Sequence, residues 1–164
     1  MKVIRGTCDG TGAAIHVCLG QVPTYVKVRN LEDAGSHLIS AEWTPGMAEV
    51  SALDEGIKAD NGAEAVLAAN GISAYAGGDE IVYDKNTSVR WEDSSGNSVE
   101  EVYVDGRNKE EDTGLAYRCY GDAERPNPHH GEKVKAAPGF TIGTDADLNA
   151  NGEKLEWLAF IDGD

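Results

Sequence analysis

The chain is short of positive charge. Its 14 lysines and arginines face 29 aspartates and glutamates, for a formal net charge of −15 over 164 residues. A surface of that sign repels phosphate backbones, which argues against nucleic acid as a partner. Long apolar runs are missing too. Nothing approaches the roughly 20 residues that cross a bilayer as a helix, and the opening Met-Lys-Val-Ile-Arg-Gly-Thr-Cys has no signal-peptide core. The expectation is a protein made and assembled in a cytoplasm, with no membrane partner. Cysteine is scarce and odd in number: Cys8, Cys18 and Cys119 lack metal-ligand spacing and are read as reduced thiols. A Gly-x-Ser-x-Gly elbow, a phosphate loop, a dinucleotide fingerprint and any internal repeat are likewise absent from the sequence.

What is present is glycine between short alternating runs. That pattern, at this length, predicts an all-β fold: one β-sandwich domain over 1–164, jelly-roll-like, with a core that needs no disulfides. Strands are expected at residues 2–8, at Ile15, Val17 and Leu19, at Tyr25–Arg29 with Val26 and Val28 inward, and at 37–43 with Ile39, Ala41 and Trp43 on one side. Residues 46–79 read as a long irregular middle loop. Within it, Glu64–Asn70 before Gly71 is open to a short helix, and a β excursion is the rival reading. Further strands are expected at 80–83 and 88–91, with a turn at Asp84–Asn86, then at 100–104 and 115–120. The proline-bearing, charged stretch at about 121–137 reads as a projecting loop or arm.

The most specific text is the end of the chain. Phe140 and Ile142 alternate, Asp145 to Gly152 is turn-forming, and Leu155–Ile161 is apolar on both sides. Leu155, Trp157, Ala159 and Ile161 are expected to point one way, with Leu158 and Phe160 the other. The predicted shape is a C-terminal hairpin whose last strand is central or buries its second face on a partner.

Few groups suggest chemistry. Asp145, Asp147, Asn149, Asn151 and Glu156 nearly match calcium-loop spacing. Ala150 stands where the bend wants glycine, and the flanks are strands, so backbone-bonding turns are the preferred reading and no metal or other cofactor is expected. His129 and His130 with His16 and His37 are a weaker zinc set. Carboxylate runs such as Asp54-Glu55 and Glu100-Glu101 read as solvated faces, and Cys18 near His16 reads as packing. Trp43, Trp91, Trp157 and the tyrosines read as core or interface anchors before a sugar platform. An enzyme is not expected.

Gly10–Gly20, Pro23–Asn30 and Trp43…Met47, with the closing Gly-Phe-Thr-Ile-Gly-Thr-Asp-Ala-Asp-Leu-Asn…Gly-Glu…Trp-Leu-Ala-Phe, resemble small tailed-bacteriophage virion proteins of the capsid decoration or cement type. The closing segment is also similar to phage fibre modules. The resemblance covers about a third of the chain and carries no catalytic residue. It implies a structural protein on the outside of the capsid, bound to the major capsid protein and to itself as a homodimer or homotrimer. A fibre module binding a host-surface glycan is the alternative. Contact candidates are Lys2, Val3 and Ile4, which would add a strand to a neighbour, then Pro126, Asn127, Pro128, His129 and His130 in the arm, and Leu158 and Phe160 on the last strand.

Overall fold

Alternation of apolar and polar residues builds the first sheet. In Tyr25–Asn30 and Ile39–Trp43, Val26, Val28, Ile39, Ala41 and Trp43 are buried while Lys27, Arg29, Ser40 and Glu42 face away. The computed structural model describes the backbone of residues 1–32, 38–92, 98–107, 116–119 and 133–162, with side chains over 1–32, 38–79 and 135–162. In it the chain is all-β, with two sheets and no α-helix among the described residues.

One sheet contains β1 (Lys2–Asp9), β3 (Tyr25–Asn30), β4 (Ile39–Trp43), β5 (Ile57–Asp60), β6 (Ala63–Val66) and β13 (Lys154–Ile161). Its order is β1-β13-β3-β4-β5-β6, antiparallel throughout. The other sheet contains β2 (Ile15–Cys18), β7 (Ile72–Tyr75), β8 (Glu80–Glu92), β9 (Ser98–Arg107), β10 (Ala116–Cys119), β11 (Lys133–Lys135) and β12 (Gly139–Ile142). Its order is β11-β8-β9-β10-β2-β12-β7, with β10 and β2 parallel. The β3–β6 run is a meander within one sheet. A jelly roll instead passes its chain between sheets, so that finer wiring is not established.

The core lies between β1, β3, β4 and β13 on one side and β2, β7 and β12 on the other. Ile15, Val17, Ile72, Phe140 and Ile142 meet Val26, Val28, Trp43, Leu155, Trp157 and Ala159 there. Phe140 packs edge-on to Trp157, with centroids 5.6 Å apart, and so bridges the two sheets. The indole lies across β1 at Gly6, where any Cβ would collide with it. Cys8 and Cys18 are buried thiols.

Several expectations change. The last two strands are not a hairpin. β12 belongs to one sheet and β13 to the other, and residues 143–153 cross between them. The middle is not a long irregular loop, because a short 3-10 turn at Pro45–Glu49 is followed by the β5–β6 hairpin and β7. The helix reading of 64–70 gives way to the β excursion: Asn61 and Gly62, with φ of 51° and 87°, supply the two positive-φ positions of a tight hairpin turn. The turn expected at Asp84–Asn86 is a register shift between Tyr83 and Lys85 inside the single long strand β8. Of the projected arm, Lys133–Lys135 pairs with β8 as β11, and residues 120–132 lie outside the described residues.

Candidate interaction surface

β13 is an interior strand of its sheet, second from the β1 edge, hydrogen-bonded to β1 on one side and β3 on the other. As expected, Leu155, Trp157, Ala159 and Ile161 are buried, and Leu158 and Phe160 point away and are half-buried. The register surrounds them with charge and aromatic surface. Leu158 sits between Arg5 on β1 and Lys27 on β3, Glu156 lies beside Arg29, and Phe160 stands between Val3 and Tyr25. The Phe160 and Tyr25 rings are 5.1 Å apart at a tilt. Arg5, Lys27, Arg29, Glu156, Trp157 and Leu158 line a shallow, open depression of about 180 Å³.

Charges on this face are unevenly satisfied. Lys27 Nζ pairs with Glu42 at 3.4 Å. Burial, followed by the adjacent Glu42 carboxylate, pushes the Tyr25 phenol up from its ordinary value. Arg5 and Arg29 are exposed, and among the described residues neither has a carboxylate within salt-bridge distance.

The other contact candidates fare differently. Ile4 is a core residue, only 6% exposed, and so is not available to a partner. Its neighbours Lys2 and Val3 are half-buried on β1, an edge strand that already pairs with β13 and packs against β8. Pro126, Asn127, Pro128, His129 and His130 lie outside the described residues.

The calcium-loop residues do not converge, because strands β3 and β5 and the connection between β1 and β2 use the 143–153 segment as a seam. Asn149 is fully buried. Its amide donates to Ala13 O at 2.7 Å and Gly143 O at 2.8 Å, and its Oδ1 accepts from Thr11 N at 2.9 Å. Both ends of that side chain are therefore spent on backbone. Asn30 on β3 donates to Asp147 O and to the Glu153 carboxylate. Lys58 on β5 places its ammonium 2.9 Å from Asp145 Oδ1 and 2.9 Å from Asp147 Oδ2, so a cation of the chain's own already faces both carboxylates. Asn151 is exposed, and Glu156 is on the outward face of β13. Among the described residues no three His, Cys, Asp or Glu side chains cluster as a metal-ligand set.

Burial tends to raise the Asp145 carboxyl, but bonds from Leu148 N–H and Lys58 outweigh it and hold the group below its ordinary value. Burial also works against the Lys58 ammonium. Hydrogen bonds to Asp147 and Asp145 outweigh that effect and raise its pKa.

On β2, His16 stacks on Tyr75 with centroids 4.1 Å apart, and its Nδ1 is 2.7 Å from Thr141 Oγ1. Burial lowers the His16 pKa, opposed by the Asp79 carboxylate, which accepts from the Tyr75 hydroxyl at 2.7 Å. The Cys18 thiol meets the His16 carbonyl at 4.0 Å, a packing arrangement. Trp43 and Trp157 are fully buried and Tyr75 nearly so, as core anchors are. Trp91, Tyr83, Tyr103, Tyr117 and Tyr120 lie outside the described side chains.

No protein-family model matches the chain, and neither a curated protein nor a solved structure matches it. Among the described residues no helix is long and apolar enough to cross a membrane.

Proposed function

We propose that this chain is a bacteriophage virion structural protein, a capsid decoration protein that binds the outside of the major capsid shell and stabilises it. One observation supports it most: the outward side of the interior strand β13 carries Leu158 and Phe160, half-buried beside Tyr25 and Val3. A strand that is apolar on both sides gains most when its second side is covered by a partner. The depression around Leu158 is open rather than enclosed, which suits shallow contacts repeated by symmetry on a shell. The strong negative charge keeps the protein away from packaged nucleic acid. Its partners on this reading are the major capsid protein and further copies of itself, as a dimer or trimer.

The deciding test is size-exclusion chromatography with light scattering, alone and with purified undecorated capsid shells. Saturable binding at a fixed number of copies per capsid subunit is the expected result. A protein that leaves shells untouched overturns the reading. The rival, a fibre module stacking a host-surface glycan on the Tyr25–Phe160 pair, then becomes the reading to test on a glycan array.

A further inference from the structure

Among the described residues, the outer face of β1, β13 and β3 brings together three cations of a chain that has few. Arg5, Lys27 and Arg29 surround Leu158, facing the carboxylates of Glu42 and Glu156. Glu42 is engaged by Lys27 at 3.4 Å. Glu156 is exposed beside Arg29 without an ion pair among the described residues. Further along the same face, Asp9 and Lys154 are register partners. On a molecule of net charge −15 this is a locally cationic surface with an apolar floor.

We infer that the Arg5–Lys27–Arg29 face binds an acidic, extended segment of a partner protein, with an apolar side chain of that segment resting on Leu158. Guanidinium forks match carboxylates in bidentate geometry, and among the described residues Arg5 and Arg29 have no ion-pair partner. Lys27 and Arg29 are two residues apart on one strand, about 7 Å, which is the spacing of alternate side chains in an extended peptide. Arg5 stands two strands over from Lys27, about 10 Å away, so the three cations outline a strip that one strand of partner chain covers. The surplus negative charge of the protein turns acidic segments away from other approaches and leaves this one favourable. The inference deepens the docking reading by naming the chemistry of the partner, and it rests on this face being the docking face.

The test uses the full-length protein and a fluorescein-labelled nine-residue peptide of alternating glutamate and leucine, followed by anisotropy. Controls are a glutamine–leucine peptide of the same length and a sulfated oligosaccharide. The acidic peptide is expected to bind, to lose at least about tenfold in affinity in the Arg5→Glu/Arg29→Glu variant, and to weaken at about 0.3 M salt. An unchanged melting profile for that variant shows that the loss is not misfolding. Equal binding of the glutamine peptide, or binding of the sulfated sugar alone, overturns the inference.

Shell binding separates the two proposals. If shells bind wild type and the variant equally, the acidic-segment site is wrong and the decoration reading stands. If the acidic peptide binds while shells do not, the site stands and the decoration reading falls.

Discussion

Asn149 and Lys58 fasten the same segment at different places, one to the connection between β1 and β2 with a neutral amide and the other to β5 with a charge. Asn149 is fully buried, and all three of its bonds run to backbone. Lys58 is 16% exposed at the side chain; its two partners are 15% exposed at Asp145 and 58% at Asp147. A buried neutral group that loses its partners strands donors and acceptors with no water to replace them. A partly exposed ion pair is opposed by the dehydration of its charges and aided by nearby solvent when it breaks. The amide should therefore matter more to stability than the ion pair, although only the ion pair carries charge.

The largest expected effect breaks the amide. Asn149→Ala leaves Thr11 N–H and the Gly143 carbonyl without the partner they have in the fold, removes one of the two donors to the Ala13 carbonyl (the Thr11 hydroxyl remains), and should cost roughly 3 kcal/mol in denaturant unfolding. A loss below that of Lys58→Met would reverse the comparison. Asn149→Asp sharpens it: a carboxylate there faces two carbonyls, which raises its folded pKa above the unfolded value. Stability of that variant should be greatest in acid and fall as pH rises through the raised pKa, the opposite of an ordinary paired aspartate.

Lys58→Met comes next, at about 1–2 kcal/mol. The wild-type tie has two limbs in pH. Asp145 is depressed, so its contribution is present above the ordinary aspartate range and lost as pH falls through the lower folded value. Lys58 is raised, so its contribution is present below the ordinary lysine value and lost as pH rises through the higher folded one. The tie is therefore whole between roughly pH 4 and pH 10. Melting Lys58→Met across that range and beyond should give a flatter profile at both ends. An identical curve would mean that the ion pair contributes nothing.

Asp147→Asn should cost under about 1 kcal/mol, because its carboxylate is mostly solvated. Smallest of all, Arg5→Glu/Arg29→Glu should move the midpoint by less than about 0.5 kcal/mol, since both side chains are exposed.

Much of the fold was legible because period-2 alternation is a local signal. β3, β4 and β13 fall where Val26/Val28, Ile39/Ala41/Trp43 and Leu155/Trp157/Ala159/Ile161 place them. The seam was not legible. Asp145, Asn149, Asn151 and Gly152 announce that the chain turns, and turn residues look the same whether the chain returns to its own sheet or crosses to another. Length was the available clue, since residues 143–153 exceed the roughly two to five residues of a hairpin loop. Asn61-Gly62 was a second overlooked clue, a hairpin signal set beside an alanine-rich run whose helix propensity it overrode.

The candidate surface was half visible. Leu158 and Phe160 stood out as the second apolar side of β13. Arg5, Lys27 and Arg29 come from strands far apart in sequence, and only the register gathers them. Asn149 fell within a calcium-like spacing but was read as a backbone-bonding turn residue; that its partners are Thr11 and Ala13, at the other end of the chain, was not legible. Nothing in its neighbours distinguishes an asparagine that binds an ion from one that holds three backbone groups.

The slot filled by β13 also sets an order of events for folding. β1 and β3 never touch as neighbours; each is joined to the last strand. On a ribosome, a chain that has emerged only as far as β12 has the gap between them open and the Trp157 face of the core missing. Its first strand must wait, unpaired on that side, for a strand more than a hundred residues away. Such a high contact order points to slow, late assembly of this sheet. The β3–β4–β5–β6 meander, made of neighbours in sequence, is free to form first, and the last strand closes the fold.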